Sequence, residues 1–245
     1  MKILIIGDSC RDVFVYCDAI RLAPDVPVPI LSIVEKTENP GMSENVYRNV
    51  INLGVDCDIT TNYNWKDITK TRYVHHKSNY YFFRVDSTDV IDRIDLRKLS
   101  FDYDLIAISD YNKGFLLEED IEYISKNHKN VFIDTKKKLG EWIENVSYVK
   151  INNFEYEKSI DYINNSKIKN RIITTSGEKG CFFEGKNYPT KKVEVKDSSG
   201  AGDTFFASLI VEYVKTNNIY KSIEYANKNA SEIVRHRGVG LINKI

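Results

Sequence analysis

A chain of 245 residues with 42% hydrophobic content is long enough to bury one full α/β core and short for two separate domains. Its 35 basic and 35 acidic residues cancel, which excludes an overall field recruiting nucleic acid or an anionic membrane and leaves a small-molecule substrate as the expectation. Cys10, Cys17, Cys57 and Cys181 form no C-x-x-C pair, and the four histidines have no ligand spacing with them, which argues against a structural zinc site.

In chain order, the opening Met1-Lys2-Ile3-Leu4-Ile5-Ile6-Gly7 has too short an apolar run for a signal segment or a membrane span. A cytoplasmic protein with reduced thiols is expected. Residues 2–6 read as a buried strand whose end delivers Asp8 to a site. Residues 24–34 hold too many prolines for a helix, and 72–86, with Tyr73, Tyr80, Tyr81, Phe82 and Phe83, are aromatic and β-prone. These two stretches are expected to pair with each other as an antiparallel flap. Apolar runs at 105–108, 131–133 and 171–174 repeat the strand signal, each ending near Asp, Thr or Ser. Helical spacing appears at 121–124, 154–163, 205–214 and 223–234. This alternation predicts an α/β fold with a doubly wound, mostly parallel sheet.

The densest chemical signal is Asp197-Ser198-Ser199-Gly200-Ala201-Gly202-Asp203-Thr204-Phe205. Val193-Glu194-Val195 reads as a strand leading in, Gly200 and Gly202 permit a tight turn, and an apolar helix follows from Phe205. Unpaired N–H groups and aligned peptide dipoles at such a helix start favour a phosphate and stabilise charge on a phosphoryl group in transfer. Asp203 falls in the first turn, where a carboxylate can accept a hydroxyl proton. A dinucleotide fingerprint would want glycine at position 205 and a P-loop would want Gly-Lys-Ser/Thr; neither is present. Read alone, Asp203 could equally serve only to complement the helix dipole.

The turn resembles the ribokinase-like family of carbohydrate kinases, whose signature is Asp-x-x-Gly-Ala-Gly-Asp-x-Phe. In the same order, Asn152-Asn153-Phe154-Glu155 is similar to the family's Asn-x-x-Glu motif, and Thr175-Ser176-Gly177-Glu178-Lys179-Gly180 to its Thr-x-Gly-x-x-Gly nucleotide loop. Gly7-Asp8-Ser9-Cys10-Arg11-Asp12, the proline run 21–29, Phe83-Arg84-Val85-Asp86, Ser109 to Gly114 and Asp134-Thr135-Lys136 resemble the heptose 7-phosphate kinases within that family. Two departures stand out. Met42 and Glu44 occupy a stretch that is Gly-Gly-Ala-Ala-Asn-Val in those kinases, and only 55–71 remain where the family inserts further elements.

The resemblance implies one ribokinase-like domain over 1–245, a three-layer doubly wound sheet with a small β-lid from about 13–36 and 72–88. It implies an ATP-dependent sugar kinase acting on a hydroxyl, that of a heptose 7-phosphate first; another sugar or nucleoside kinase, or a degenerate ligand-binding homologue, is the alternative. Asp203 would be the base, with Gly200, Ala201 and Gly202 forming the anion hole. Asp8, Asp12, Gly41 and Asn45 would hold sugar hydroxyls, and Arg84 and Lys113 the sugar's own phosphate. Thr175, Gly177 and Gly180 would border the nucleotide, with helix 222–235 and loop 237–240 walling its base. Asn152 and Glu155 would organise Mg2+, Glu155 through water. ATP and Mg2+ are the implied cofactors, with a monovalent cation an open requirement. No nucleic-acid or membrane partner is implied; a homodimer through the lid is.

Overall fold

The structure, a computed structural model, describes residues 1–242; positions 243–245 of the expected domain lie outside the described residues. In chain order the elements are β1 (Lys2–Gly7), β2 (Ser9–Leu22), β3 (Pro29–Met42), α1 (Ser43–Asn52), β4 (Asp56–Thr60), β5 (Thr69–His75), β6 (Tyr81–Asp86) and β7 (Leu105–Asp110). Then come α2 (Glu118–Asn127), β8 (Val131–Thr135), β9 (Tyr148–Asn152), α3 (Asn153–Asn165), β10 (Ile172–Thr175), β11 (Cys181–Phe183), β12 (Lys186–Tyr188), α4 (Ala201–Thr216) and α5 (Ile219–Ile233).

Apolar runs become central strands here because both faces of the sheet are covered. Ile3 and Ile5 of β1 pack into one core with Val46, Val50, Phe206, Ile210 and Ile223 of α1, α4 and α5. Leu4 and Ile6 pack into the other, with Ile121 and Ile124 of α2 and Ile163 of α3. Successive side chains of a strand point to opposite faces, so a strand buried on both sides is apolar at every position. Burying each such side chain contributes about 1.5–3 kcal/mol.

The main sheet has eight strands in the order β12-β11-β10-β9-β8-β7-β1-β4, antiparallel only where β11 joins β10 and β12. Its register puts Gly7 beside Ser109, Ser109 beside Asp134, and Asp134 beside Lys150. The polar residues that end these strands therefore collect along one edge. Ligands of open parallel sheets bind at that carboxyl edge, near the point where the strand order reverses; here β1 is followed by β4 on one side and β7 on the other.

A second, four-stranded sheet has the order β3-β2-β5-β6. Residues 29–34 and the β5–β6 hairpin both belong to it, but they do not pair with each other. β2 lies between them, antiparallel to β3 and parallel to β5. Its alternation is broken by Arg11, Asp12 and Asp18, which hides it from a local reading. The expected strand at 193–195 is also absent. The N–H groups of Lys196 and Asp197 instead donate to the Val234 carbonyl at the end of α5. Among the described residues, no helix is long and apolar enough to cross a membrane.

Candidate active site

Helix α4 starts one turn earlier than the apolar pattern, at Ala201, because Gly200 adopts a left-handed conformation (φ 77°) as its N-cap. A Cβ at Gly200 would sit 3.1 Å from Asn45 Nδ2 and 3.2 Å from Val239 Cγ1, so glycine is required by backbone angle and by space. The first i→i−4 bond is made by Thr204 N–H to the Gly200 carbonyl (2.9 Å). The N–H groups of Gly202 and Asp203 precede it and have no intrahelical partner, as at any helix start.

Asp203 lies behind this turn, almost wholly buried. Tyr111 O–H donates to its Oδ1 (2.6 Å) and Asn45 Nδ2 donates to its Oδ2 (2.9 Å). Burial disfavours the charged carboxylate and pushes its pKa up to about 6, with the two hydrogen bonds pulling back and Asp134 pushing further up. A carboxylate poised there is ionised at neutral pH yet more basic than an exposed one. Burial and the adjacent Asp203 hold the Tyr111 phenol well above its usual range, so Tyr111 stays a donor.

Beside the turn, the ends of β8 and β9 carry a chain of ion pairs. Lys150 Nζ lies 2.6 Å from Asp134 Oδ2, and a Cβ at Gly202 would come within 3.1 Å of that ammonium. Lys136 bridges Glu155 Oε1 (2.6 Å) and the vicinity of Asp134 Oδ1 (3.8 Å). Burial works against the Lys136 charge, but Asp134 and Glu155 together raise its pKa. Asp134 Oδ1 itself is buried without a hydrogen-bond partner. Asn152 caps α3 in a reciprocal box: its side chain accepts from Glu155 N–H (3.0 Å), and its own N–H donates to Glu155 Oε2 (2.7 Å).

On the other side of the turn is a cavity of about 380 Å³, lined by Thr175, Gly177, Gly180, Ala201, Gly202 and Val234 among others. Thr175, Gly177 and Gly180 thus share one cavity with Asn227, Ala230 and Ser231 of α5. The 237–240 loop does not wall this cavity. Gly238 N–H donates to Asp197 Oδ2 (3.0 Å), and Val239 packs with Phe14, Tyr16 and Val74 of the smaller sheet. Gly180 (φ 86°) leaves no room for a side chain: a Cβ would lie 2.1 Å from the Tyr188 carbonyl oxygen. Gly180→Ala is expected to destabilise the fold by about 2–5 kcal/mol through backbone strain and overpacking, read as a lowered Tm that added ATP only partly restores.

The remaining expected residues fall into distinct surroundings. Asp8 is fully buried, and its oxygens accept Tyr111 N–H (2.7 Å) and Phe115 N–H (3.3 Å), which ties down the loop carrying Tyr111. Burial and the nearby Asp110 raise its pKa. Asp12 is ion-paired to Arg72, and its carboxylate packs against Gly41, where a Cβ would overlap Oδ2. Arg84 is half exposed and held by Asp86 (2.7 and 3.0 Å), while Lys113 pairs with Asp89 (2.5 Å). Two other cations interact with Asp203, Lys150 and Lys136. Only the motif positions 109–114 and 134–136 had hinted at Tyr111 and Lys136.

A glycine turn with a cavity on one face and a buried carboxylate on the other places the chain among kinases of ribokinase-like architecture. Ribokinase from Thermotoga maritima superposes with a TM-score of 0.74 at 19% identity, covering 97% of this chain and 94% of that one. A nucleoside kinase from Methanocaldococcus jannaschii superposes with a TM-score of 0.73 at 18% identity, covering 99% and 95%. Residues 51–245 match the family described as pfkB family carbohydrate kinase, and the chain belongs to that family of ATP-dependent kinases. The bifunctional protein HldE of Helicobacter acinonychis is 29% identical over 297 aligned residues, covering 98% of this chain and 64% of that protein. The chain therefore spans a little under two thirds of such relatives.

Proposed function

We propose that the chain transfers the γ-phosphoryl group of ATP to the anomeric hydroxyl of a heptose 7-phosphate, giving a 1,7-bisphosphate. What carries the transfer chemistry is Asp203, buried at the start of α4 and aimed by Tyr111 and Asn45. Above pH about 6 its carboxylate is ionised and takes the proton of the attacking hydroxyl. The N–H groups of Gly202 and Asp203, with the Lys150 ammonium beside them, stabilise charge on the moving phosphoryl group. Thr175, Gly177, Gly180 and the walls of the 380 Å³ cavity hold the nucleotide.

Asp12, Gly41 and Asn45 border the acceptor side, with Asp8 fixing the loop behind Tyr111. The smaller sheet, reaching the catalytic turn through the hydrogen bond between Tyr81 Oη and Ser199 Oγ (2.9 Å), serves as the lid and as the surface for a homodimer. Mg2+ would be held through water beside Glu155 and Asp134 Oδ1, a buried carboxylate oxygen with no hydrogen-bond partner, with the Lys136 ammonium between the two carboxylates. When bound, the ion neutralises phosphate charge while keeping several waters. The heptose assignment is supported by the similarity to HldE and by the motifs quoted above.

The test is a coupled ADP-release assay over a panel of free and phosphorylated sugars. Heptose 7-phosphate is expected to give the highest kcat/KM. Preference for another acceptor would replace the heptose reading, and no turnover on any sugar would favour a ligand-binding role.

A further inference from the structure

Residues 111–117, between β7 and α2, form no helix or strand, and Asn112 (φ 56°) and Gly114 (φ 103°) are left-handed. Yet this segment delivers the Tyr111 hydroxyl to Asp203 Oδ1 at 2.6 Å. Two carboxylates hold it. Asp8, just after β1, accepts the N–H groups of Tyr111 (2.7 Å) and Phe115 (3.3 Å). Asp110, the last residue of β7, accepts Asn112 N–H at Oδ1 (3.0 Å) and so sets the turn.

Asp110 is in turn fastened to the end of β8. Its Oδ2 accepts Thr135 O–H (2.6 Å), and Lys137 Nζ lies 2.9 and 3.1 Å from its two oxygens. Lys137 N–H donates to Thr135 Oγ1 (3.0 Å) and closes the cluster. Asp8, Asp110 and Thr135 are fully buried, and Lys137 is 8% exposed. Burial and Asp110 push the Asp8 pKa up while Lys137 pulls it down, so one ammonium serves both carboxylates. Without it, two buried acids would face each other, and a proton taken by either would weaken its hold on the segment.

The pair is not needed to join the strands, because β7 and β8 are already laddered with Asp110 beside Thr135. Nor does a buried ion pair stabilise much more than apolar side chains of similar volume. It also stands away from the chemistry. Asp110 and Thr135 continue the rows Ile106, Ile108 and Val131, Ile133, which pack with α2 and α3, whereas α4, which carries Asp203, covers the opposite face.

We propose that the buried Asp110–Lys137 pair is a positioning element for the transfer, fixing the 111–115 segment so that the Tyr111 hydroxyl meets Asp203. This rests on the reading of Asp203 as the base and names the residues that keep it aimed. The charges facing Asp203 directly are Asp134 and Lys150 from β8 and β9 and Lys136 from the loop after β8, with Cys10 of β2 also in reach. Lys137 acts on it through Tyr111.

The experiment records the pH dependence of kcat/KM for the acceptor in the wild type, Lys137→Met, Tyr111→Phe and the double variant. The Tyr111 hydrogen bond lowers the Asp203 pKa, so its loss is expected to move the acid limb upward from about 6 by roughly one pH unit. Lys137→Met is expected to move the limb the same way and to lower kcat roughly tenfold, with KM for ATP unchanged. In the double variant the limb is expected to stay where Tyr111→Phe alone puts it, since both changes act at one bond. An unmoved limb in Lys137→Met, or a second equal shift in the double variant, would overturn the proposal. Carbon-13 NMR of the aspartate carboxyls, with the Asp203 signal identified by its loss in Asp203→Asn, reads the same midpoint without substrate. If no sugar turns over, the proposed transfer fails and the NMR midpoints still decide: a rise in Lys137→Met supports the positioning role, and an equal midpoint overturns it. Should Lys137→Met fail to fold, Thr135→Val takes one bond from Asp110 and keeps both charges; a smaller rise there supports the proposal and none overturns it.

Discussion

Asp203→Asn is expected to lower kcat by roughly 10²- to 10⁴-fold while leaving ATP affinity nearly intact, because on the proposed mechanism it removes the proton acceptor and keeps the N–H groups of the turn. In the wild type, kcat/KM for the acceptor is expected to fall tenfold per unit below pH about 6, where burial has placed the Asp203 pKa. The same shift has a stability consequence of definite sign. The folded pKa lies above the ordinary value of 3.8, so folding favours the protonated form. That contribution is fully present below pH about 3.8 and is lost as pH rises through about 6, a change on the order of 3 kcal/mol. Asp203→Asn is therefore expected to raise Tm at pH 8 and to give no gain at pH 4, less the cost of turning an amide N–H toward Asn45 Nδ2. Thermal melts at the two pH values, beside ADP-release kinetics, check both halves; unchanged turnover would remove Asp203 from the role of base.

Lys150→Met has the second large effect, of a different kind. It strips Asp134 Oδ2 of its 2.6 Å partner while Oδ1 already lacks a hydrogen bond, leaving a carboxylate 3% exposed beside Gly202. Breaking a buried pair from one side costs about 3–5 kcal/mol. The double variant Asp134→Asn with Lys150→Met is expected to recover most of that stability in urea denaturation and none of the turnover, since the cation beside the phosphoryl path is still missing. Equal stability of the single variant and the wild type would show that the pair is not buried in solution as it is here.

Strands β1, β7 and β8 were legible because burial on both faces leaves no polar position to confuse the pattern. The glycine turn was legible because the left-handed Gly200 and the close approach at Gly202 restrict residue type at fixed spacing. β2 was not, since its charged residues are accommodated by partners on β3 and β5 far along the chain. Val193 and Val195 look like a strand by propensity, yet the N–H groups that follow them, at Lys196 and Asp197, were taken by the end of α5. The cations of the motifs show the same division. Arg84 and Lys113 were chosen as charges in suggestive motifs; their partners Asp86 and Asp89 appear only when the second sheet is folded.

By itself the sequence determined the class of fold, the family resemblance and the position of the glycine turn, all of which rest on local pattern: apolar period, glycine spacing and motif order. Only the tertiary structure decided what surrounds that turn. Tyr111 and Asn45 reach Asp203 across 92 and 158 residues of chain, and the burial that lifts its pKa is a property of everything packed around it. Hydrogen-bond partners and desolvation are set by neighbours in space, and no local pattern encodes them.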